Sequence, residues 1–223
     1  FQTSESSDKL ISLDHYLDNI KDSQKEIYYF ANTDKDHIKN SPQLEAFIEN
    51  KIPVLFMTDA VDEFWLQNIQ KYKDKNFKSI TKGKVEIPNR KNKDKNENKI
   101  KKDNKINDLI NVLKKELEDK ISDVIISDRL TKSPILLVAD ESSLDINMEK
   151  LMKMHNKQTP DSKKILELNS NHPMIIKLSE SLNKYDHKKL SNLLLDQANI
   201  LDGNVLSNPS DYIESITDFF INN

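Results

Sequence analysis

EIYYFANTDKDHIKNSPQLEAFIENKIPVLFMTDAVDEFWLQNI, residues 26 to 69, alternates two compact apolar runs with two amphipathic ones. EIYYFAN (26 to 32) and PVLFMT (53 to 58) are continuous apolar stretches rich in aromatic and branched side chains, the pattern of strands buried on both faces. PQLEAFIENK (42 to 51) places Leu44, Phe47 and Ile48 at helical spacing, and DAVDEFWLQNIQKY (59 to 72) reads as a helix opened by Asp59. Polar TDKDHIKNSP, 33 to 42, carries no element of its own in this reading. Upstream, SLDHYLDNIK (12 to 21) makes a short helix capped by Ser12, with Leu13, Tyr16, Leu17 and Ile20 inward; downstream, NFKSIT (76 to 81) adds a third strand. Apolar strands alternating with amphipathic helices predict an α/β unit over 1 to 88, a small parallel sheet with flanking helices.

From 89 to 105 the chain reads NRKNKDKNENKIKKDNK, eight basic residues against three acids and one apolar residue, Ile100. Such a run buries nothing and predicts a charged linker; without interleaved aromatics it does not predict nucleic-acid binding. Beyond it, 106 to 223 reads as a second, α+β domain. KINDLINVLKKELEDKI (105 to 121) is a helix striped by Ile106, Leu109, Ile110, Leu113 and Leu117, followed by strands DVIIS (123 to 127) and ILLVAD (135 to 140). The rest is expected to be a methionine-rich helix, a loop around TPDSKKILELNSNHP, and helices near 173 to 182, 187 to 202 and 209 to 221.

Composition removes many function classes. The 223 residues suit two small domains, and 36% hydrophobic with 32% charged residues describes a polar chain with an economical core. There is no cysteine, hence no disulfide, thiolate metal site or cysteine nucleophile. The only glycines, Gly83 and Gly203, cannot build a P-loop, a dinucleotide fingerprint or a nucleophile elbow, each of which needs several within a few residues. His15, His37, His155, His172 and His187 are scattered, with no metal-ligand spacing. A net charge of -3 gives no general attraction to nucleic acid or anionic membrane, and no apolar run reaches the roughly 18 residues of a membrane span. A soluble, intracellular protein is expected, and a first residue other than Met suggests a piece of something longer.

Three surfaces invite a functional reading. On a helical wheel of about 100° per residue, Val61, Trp65 and Tyr72 sit at the centre of the apolar arc with Ile69 beside them, which makes Trp65 core. Phe64 falls at the border, near Lys71, Gln67 and, further round, Glu63; it is either a contact surface or a partly covered edge. Asp59, Asp62 and Glu63 fit the helix N-terminal dipole better than acid-base chemistry. In SSLDINMEKLMKMHNK, Ser142 and Asp145 suggest a capping box, and Leu144, Met148, Leu151 and Met152 form a narrow stripe, adaptable because methionine is flexible, or else simply core. KKLSNLLLDQANILDG carries Leu190, Leu193, Leu194, Ala198 and Leu201 and stops at Gly203; NPSDYIESITDFFINN opens at Pro209 and carries Tyr212, Ile213, Ile216, Phe219 and Phe220. Two such helices pack either within the chain or as a four-helix bundle across a two-fold axis.

SLDHYLDNIKDSQKEIYYFANTD and SPQLEAFIENKIPVLFMTDAVDEFWLQNI resemble the end of the middle domain of heat-shock protein 90 chaperones, and SDRLTKSPILLVAD, ILELNSNHPMI and LLLDQANILDG resemble their C-terminal dimerisation domain. Several separated motifs occur in order, nearly end to end, and look most like the bacterial form. The resemblance implies a chaperone fragment, a homodimer that binds incompletely folded clients, in the bacterial cytoplasm or else in an organelle. It implies client contacts at Glu63, Phe64 and Gln67, with the tryptophan of well-known bacterial members displaced here to 65, and at Leu144, Met148, Leu151 and Met152. It places the dimer interface on the last two helices, through Leu190, Leu194, Leu201, Ile213, Ile216 and Phe220. ATP and Mg would belong to an N-terminal domain of the parent, so no catalysis and no cofactor are expected of these residues. The ending FFINN lacks the acidic tail that docks tetratricopeptide co-chaperones. The rivals are a dimerisation module without client binding, and an α/β enzyme with a site near Asp59 and Asp62.

Overall fold

The structure, a computed structural model, describes residues 1–6, 9–87, 97–154 and 162–222. Along the chain run β1 (Gln2–Thr3), α1 (Leu13–Asn19), β2 (Glu26–Ala31), α2 (Lys35–Asn40), a 3-10 turn at Pro42–Leu44 leading into α3 (Glu45–Glu49), β3 (Leu55–Met57), α4 (Asp62–Asn68), β4 (Lys71–Tyr72) and β5 (Lys75–Ser79). Then follow α5 (Glu97–Glu116), β6 (Ile121–Ile126), β7 (Ile135–Val138), α6 (Ile146–Met154), β8 (Lys164–Leu168), α7 (Pro173–Glu180), α8 (His187–Leu201) and α9 (Pro209–Asn222). The chain divides into two compact units, Phe1–Lys91 with Val138–Ser162, and Asn92–Leu137 with Lys163–Asn223. Residues 138 to 162, expected with the second domain, therefore group with the first.

The first unit holds a five-stranded sheet ordered β1-β3-β2-β5-β4. Its centre is parallel, as the apolar runs require: Tyr29 pairs with Leu55 in β3 and with Ser79 in β5. Both edges are antiparallel two-residue strands, β1 on β3 and β4 on β5, too short to leave a periodic trace in sequence. Side chains of β2 alternate between two layers. Tyr28 and Phe30 join Ile38, Leu44, Phe47, Ile52, Val54 and Ile80 on one side. Ile27 and Ala31 join Tyr16, Leu55, Met57 and Leu66 on the other, where Tyr16 also donates its hydroxyl to the Pro53 carbonyl at 2.7 Å.

Two helices differ from the sequence reading. KDHIKN forms α2, which has a single inward apolar residue, Ile38, and so no periodicity; its signal was Asp34, whose carboxylate accepts from the amides of Asp36 and His37. The helix expected over 59 to 72 is α4 alone, ending at Asn68 with Ile69 as its C-cap, and Tyr72 lies on β4.

In the second unit the order is β6-β8-β7, with β6 and β8 parallel. The segment expected as a loop, ILELN, supplies β8, the central strand. Its Leu166 and Leu168 are fully buried, and its carboxylate is tolerated because Arg129, 1% exposed, pairs with Glu167, 2% exposed, at 3.1 Å while Ser127 donates to the second oxygen. A charged residue inside a strand hid the strand. One core joins the α5 stripe to Val124, Ile135, Leu137, Ile175, Leu178 and the inner face of α8. α5 begins at Glu97, so the run from 97 to 105 expected as linker is helical. The buried stripe from Ile106 supports the helix, and extending a formed helix through lysine-rich turns costs little. Residues 89 to 96 of that expected linker lie outside the described residues.

Candidate functional site

On α4 the sheet-facing role falls to Leu66, 8% exposed, and to Trp65, which is half-buried and meets Phe77 of β5 edge-on at 5.6 Å. Asp62, also 8% exposed, accepts from the Trp65 indole at 2.9 Å with one oxygen and from the Asp59 amide at 3.1 Å with the other. A carboxylate with both oxygens given to structural donors is a helix anchor, which weakens the case for an acid-base site at Asp59 and Asp62. Val61, placed by the wheel at the arc's centre, is instead exposed at 63%, because the helix runs for seven residues only and turns Leu66 inward in its place. Phe64 is 49% exposed and Gln67 is exposed. Val61 and Phe64, three apart, form an apolar pair on the outer side of the helix. The Glu63 side chain lies outside the described residues.

The stripe on α6 is only partly open. Leu144 is 37% exposed, Leu151 and Met152 are half-buried, and Met154, which the sequence reading passed over, is 78% exposed. Met148 is a correction: with Ile146 it is buried, at 5% exposed, and presents no surface. The capping box is a second correction. Asp145 turns its carboxylate away from Ser142 to Ser79 and Thr81, while Ser142 donates to Asp140.

The last two helices split between core and surface. Leu190 and Leu194, expected at an interface, are 4% and 1% exposed and belong to the core of the second unit. Ile216 is half-buried, whereas Leu201, Ile213 and Phe220 are exposed at 38%, 60% and 80%. Ile200, Val205 and Ile221 are exposed as well and were missed, Val205 because it lies outside any helical pattern. α9 is tied to its own chain by Phe219, stacked on Tyr185 at 5.4 Å, and by Lys189 to Asp218 at 2.9 Å. Between these helices, burial raises the Asp196 carboxyl above its ordinary pKa, with Lys120 opposing and Asp211 adding to the rise.

Among the described residues no cluster of His, Asp and Glu could hold a metal ion, and no helix is long and apolar enough to cross a membrane. Gly83, at φ 59°, is occupied by an internal contact: a Cβ there would come within 1.5 Å of a Glu141 carboxylate oxygen.

The family model described as Hsp90 protein matches residues 1–223. The chain is similar to Chaperone protein HtpG of Roseobacter denitrificans, 39% identical over 226 residues, covering 97% of this chain and 36% of that protein. HtpG of Orientia tsutsugamushi is 37% identical over 228 residues, covering 96% and 36%, and HtpG of Legionella pneumophila is 33% identical over 207 residues, covering 92% and 33%. The chain spans about a third of the length of the curated relatives it matches. With the family model matched end to end, this chain belongs to the Hsp90 family.

Proposed function

We propose that these residues form the end of the middle domain and the C-terminal dimerisation domain of a bacterial cytoplasmic chaperone, and that they bind incompletely folded clients as a homodimer. The observation that carries the reading is the set of large apolar side chains left in solvent on or just before α4, α6 and α9: Val61, Phe64, Leu144, Met154, Ile213 and Phe220. Patches of this kind on otherwise polar helices mark protein-binding surfaces. Phe64 with Gln67, Leu144, Leu151 and Met152 would meet clients, with Glu63 beside them; Met148 would support that surface from beneath. Leu201, Ile213, Ile216 and Phe220 would meet their counterparts across a two-fold axis, with Leu190 and Leu194 holding α8 behind them. Two client surfaces on one dimer raise each other's effective concentration, so weak apolar contacts add.

Among the described residues no side-chain cluster suits a metal ion, and the sequence has no glycine-rich loop for phosphates. The space a Cβ would take at Gly83 is filled by Glu141, and Gly203, at φ 74°, follows the end of α8. In this reading nucleotide chemistry belongs to another part of the parent, and no step of it runs through these residues.

The test is the mass of the protein in solution together with its affinity for a permanently unfolded protein. A dimer that binds the unfolded protein supports the proposal. A monomer, or a dimer without binding, removes the dimer or the client half of it respectively.

A further inference from the structure

Strand β5 carries two helices' attachments on one side. Phe77 receives Trp65 of α4. Ser79, two positions on and so on the same face, donates its hydroxyl to the carboxylate of Asp145, which precedes α6. Thr81 donates to the other Asp145 oxygen at 2.7 Å, and the Thr81 amide donates to Ser79 Oγ at 3.2 Å, which turns the serine proton toward the carboxylate. Ser79 and Thr81 are 6% and 4% exposed, so their hydroxyls depend largely on protein partners, Asp145 and each other at 2.8 Å. The Asp145 carbonyl also accepts from the Glu149 amide at 2.9 Å, the first hydrogen bond of α6. One residue thus starts the helix and bolts it down.

A second tie runs beside the first. Lys78 Nζ reaches both oxygens of Glu141, at 2.9 and 3.0 Å, and that carboxylate lies over Gly83, where only a glycine leaves room. The Gly83 amide donates to the Ala139 carbonyl and the Ala139 amide to the Thr81 carbonyl, each at 2.9 Å. Leu66 of α4, Phe77, Ser79 and Glu141 all line one open cleft of about 410 Å³, so the α4 attachment and the clasp share a boundary.

The geometry points to Asp145 as the positioning residue of the α6 surface: by gripping Ser79 and Thr81 it fixes α6 to the strand that also seats α4, and presents Leu144, Leu151 and Met152 to a client in one arrangement. The inference rests on the reading of α6 as a client surface. Apolar groups held in place lose less conformational entropy on binding than groups on a loose helix, so the clasp acts on affinity without touching the client. Ile146 and Met148, which follow Asp145 into the helix, are buried.

The experiment compares full-length protein carrying Ser79→Ala with Thr81→Ala against the hydroxyl-retaining swap Ser79→Thr with Thr81→Ser. It reads amide hydrogen exchange in α4 and α6, and affinity for reduced, carboxymethylated α-lactalbumin. The alanine pair is expected to speed exchange at 146 to 150 by about tenfold or more, leave 64 to 68 unchanged, and weaken binding by at least about threefold. The swap should match the parent in both readouts. Asp145→Asn serves if the alanine pair does not fold, with the same expected directions. Unchanged α6 exchange overturns the proposal. So does unchanged affinity with a loosened α6, when Leu151→Ser with Met152→Ser does weaken binding. If that last pair binds as the parent does, the client reading of α6 itself fails, and the positioning role falls with it.

Discussion

The indole N–H of Trp65 donates to the carboxylate of Asp62 three residues before it, at 2.9 Å, and the same carboxylate takes the Asp59 amide through its other oxygen. The chain's only tryptophan is therefore fixed to its own helix as well as to Phe77. Asp62→Ala leaves two donors without their acceptor. It is expected to lower unfolding free energy by about 1–3 kcal/mol and to shift Trp65 fluorescence in the folded state. An unchanged urea midpoint and emission maximum would show that the tryptophan is held by packing alone.

Phe64 and Leu66 sit two apart on α4 and should respond oppositely. Phe64→Ser, at a side chain half in solvent, is expected to change stability by no more than about 0.5 kcal/mol while weakening binding of an unfolded protein. Leu66→Ala, in the core beneath, should cost about 2–5 kcal/mol. Met148→Ala belongs with Leu66, because its side chain is buried. Urea denaturation beside a binding assay separates the two classes, and a Phe64→Ser protein that binds normally removes α4 from the client surface.

How much of this could be read from sequence depended on how many apolar residues each element buries. β2 and β3 were legible because EIYYFA and LFM face layers on both sides. α2 and β8 were not: one hides a single Ile38 in a polar run, and the other carries Glu167, whose partner Arg129 is 38 residues away. The helical wheel separated Trp65 from Phe64 correctly, yet it assumed a helix through Tyr72 and so set Val61 inside. Amphipathic stripes also cannot tell a core from an interface. Leu190 and Leu194 satisfy one pattern and Ile213 and Phe220 another, and only the folded chain shows that the first two are buried and the last two exposed.

That sorting changes which substitution tests the dimer. Leu194→Glu would bury a carboxylate in the protomer core and is expected to unfold the second unit, at a cost above about 3 kcal/mol. Ile213→Glu with Phe220→Glu leaves that core intact. This pair should convert dimer to monomer in sedimentation while the far-ultraviolet circular dichroism and melting of the monomer stay near those of the parent at low concentration. A persistent dimer moves the interface away from α9.

Arg129 and Glu167 form a buried pair whose worth lies in its being complete. Arg129→Met strands the Glu167 carboxylate in the core and should cost about 3–5 kcal/mol. Arg129→Met with Glu167→Leu removes both charges and should recover most of that loss, leaving Ser127 to find another acceptor. Equal destabilisation by the single and double variants in urea would mean that Arg129 matters through packing and not through its charge.

Asp196 offers a pH-dependent check on the seam between α8 and α9. Burial, with Asp211 nearby, raises its folded pKa, and Lys120 only partly offsets this. Ionised Asp196 therefore opposes folding at neutral pH. That cost fades as the pH falls through the raised folded pKa, and it vanishes below the ordinary aspartate value of about 3.9. Asp196→Asn is expected to raise the melting temperature at pH 7, by about 1 °C once solvent screening of this partly exposed side chain is allowed for. The gain over the parent should shrink steadily as the pH is lowered toward 4. A gain that is independent of pH would assign the effect to side-chain packing, and a loss at pH 7 would mean that the pull of Lys120 on the ionised carboxylate outweighs its burial.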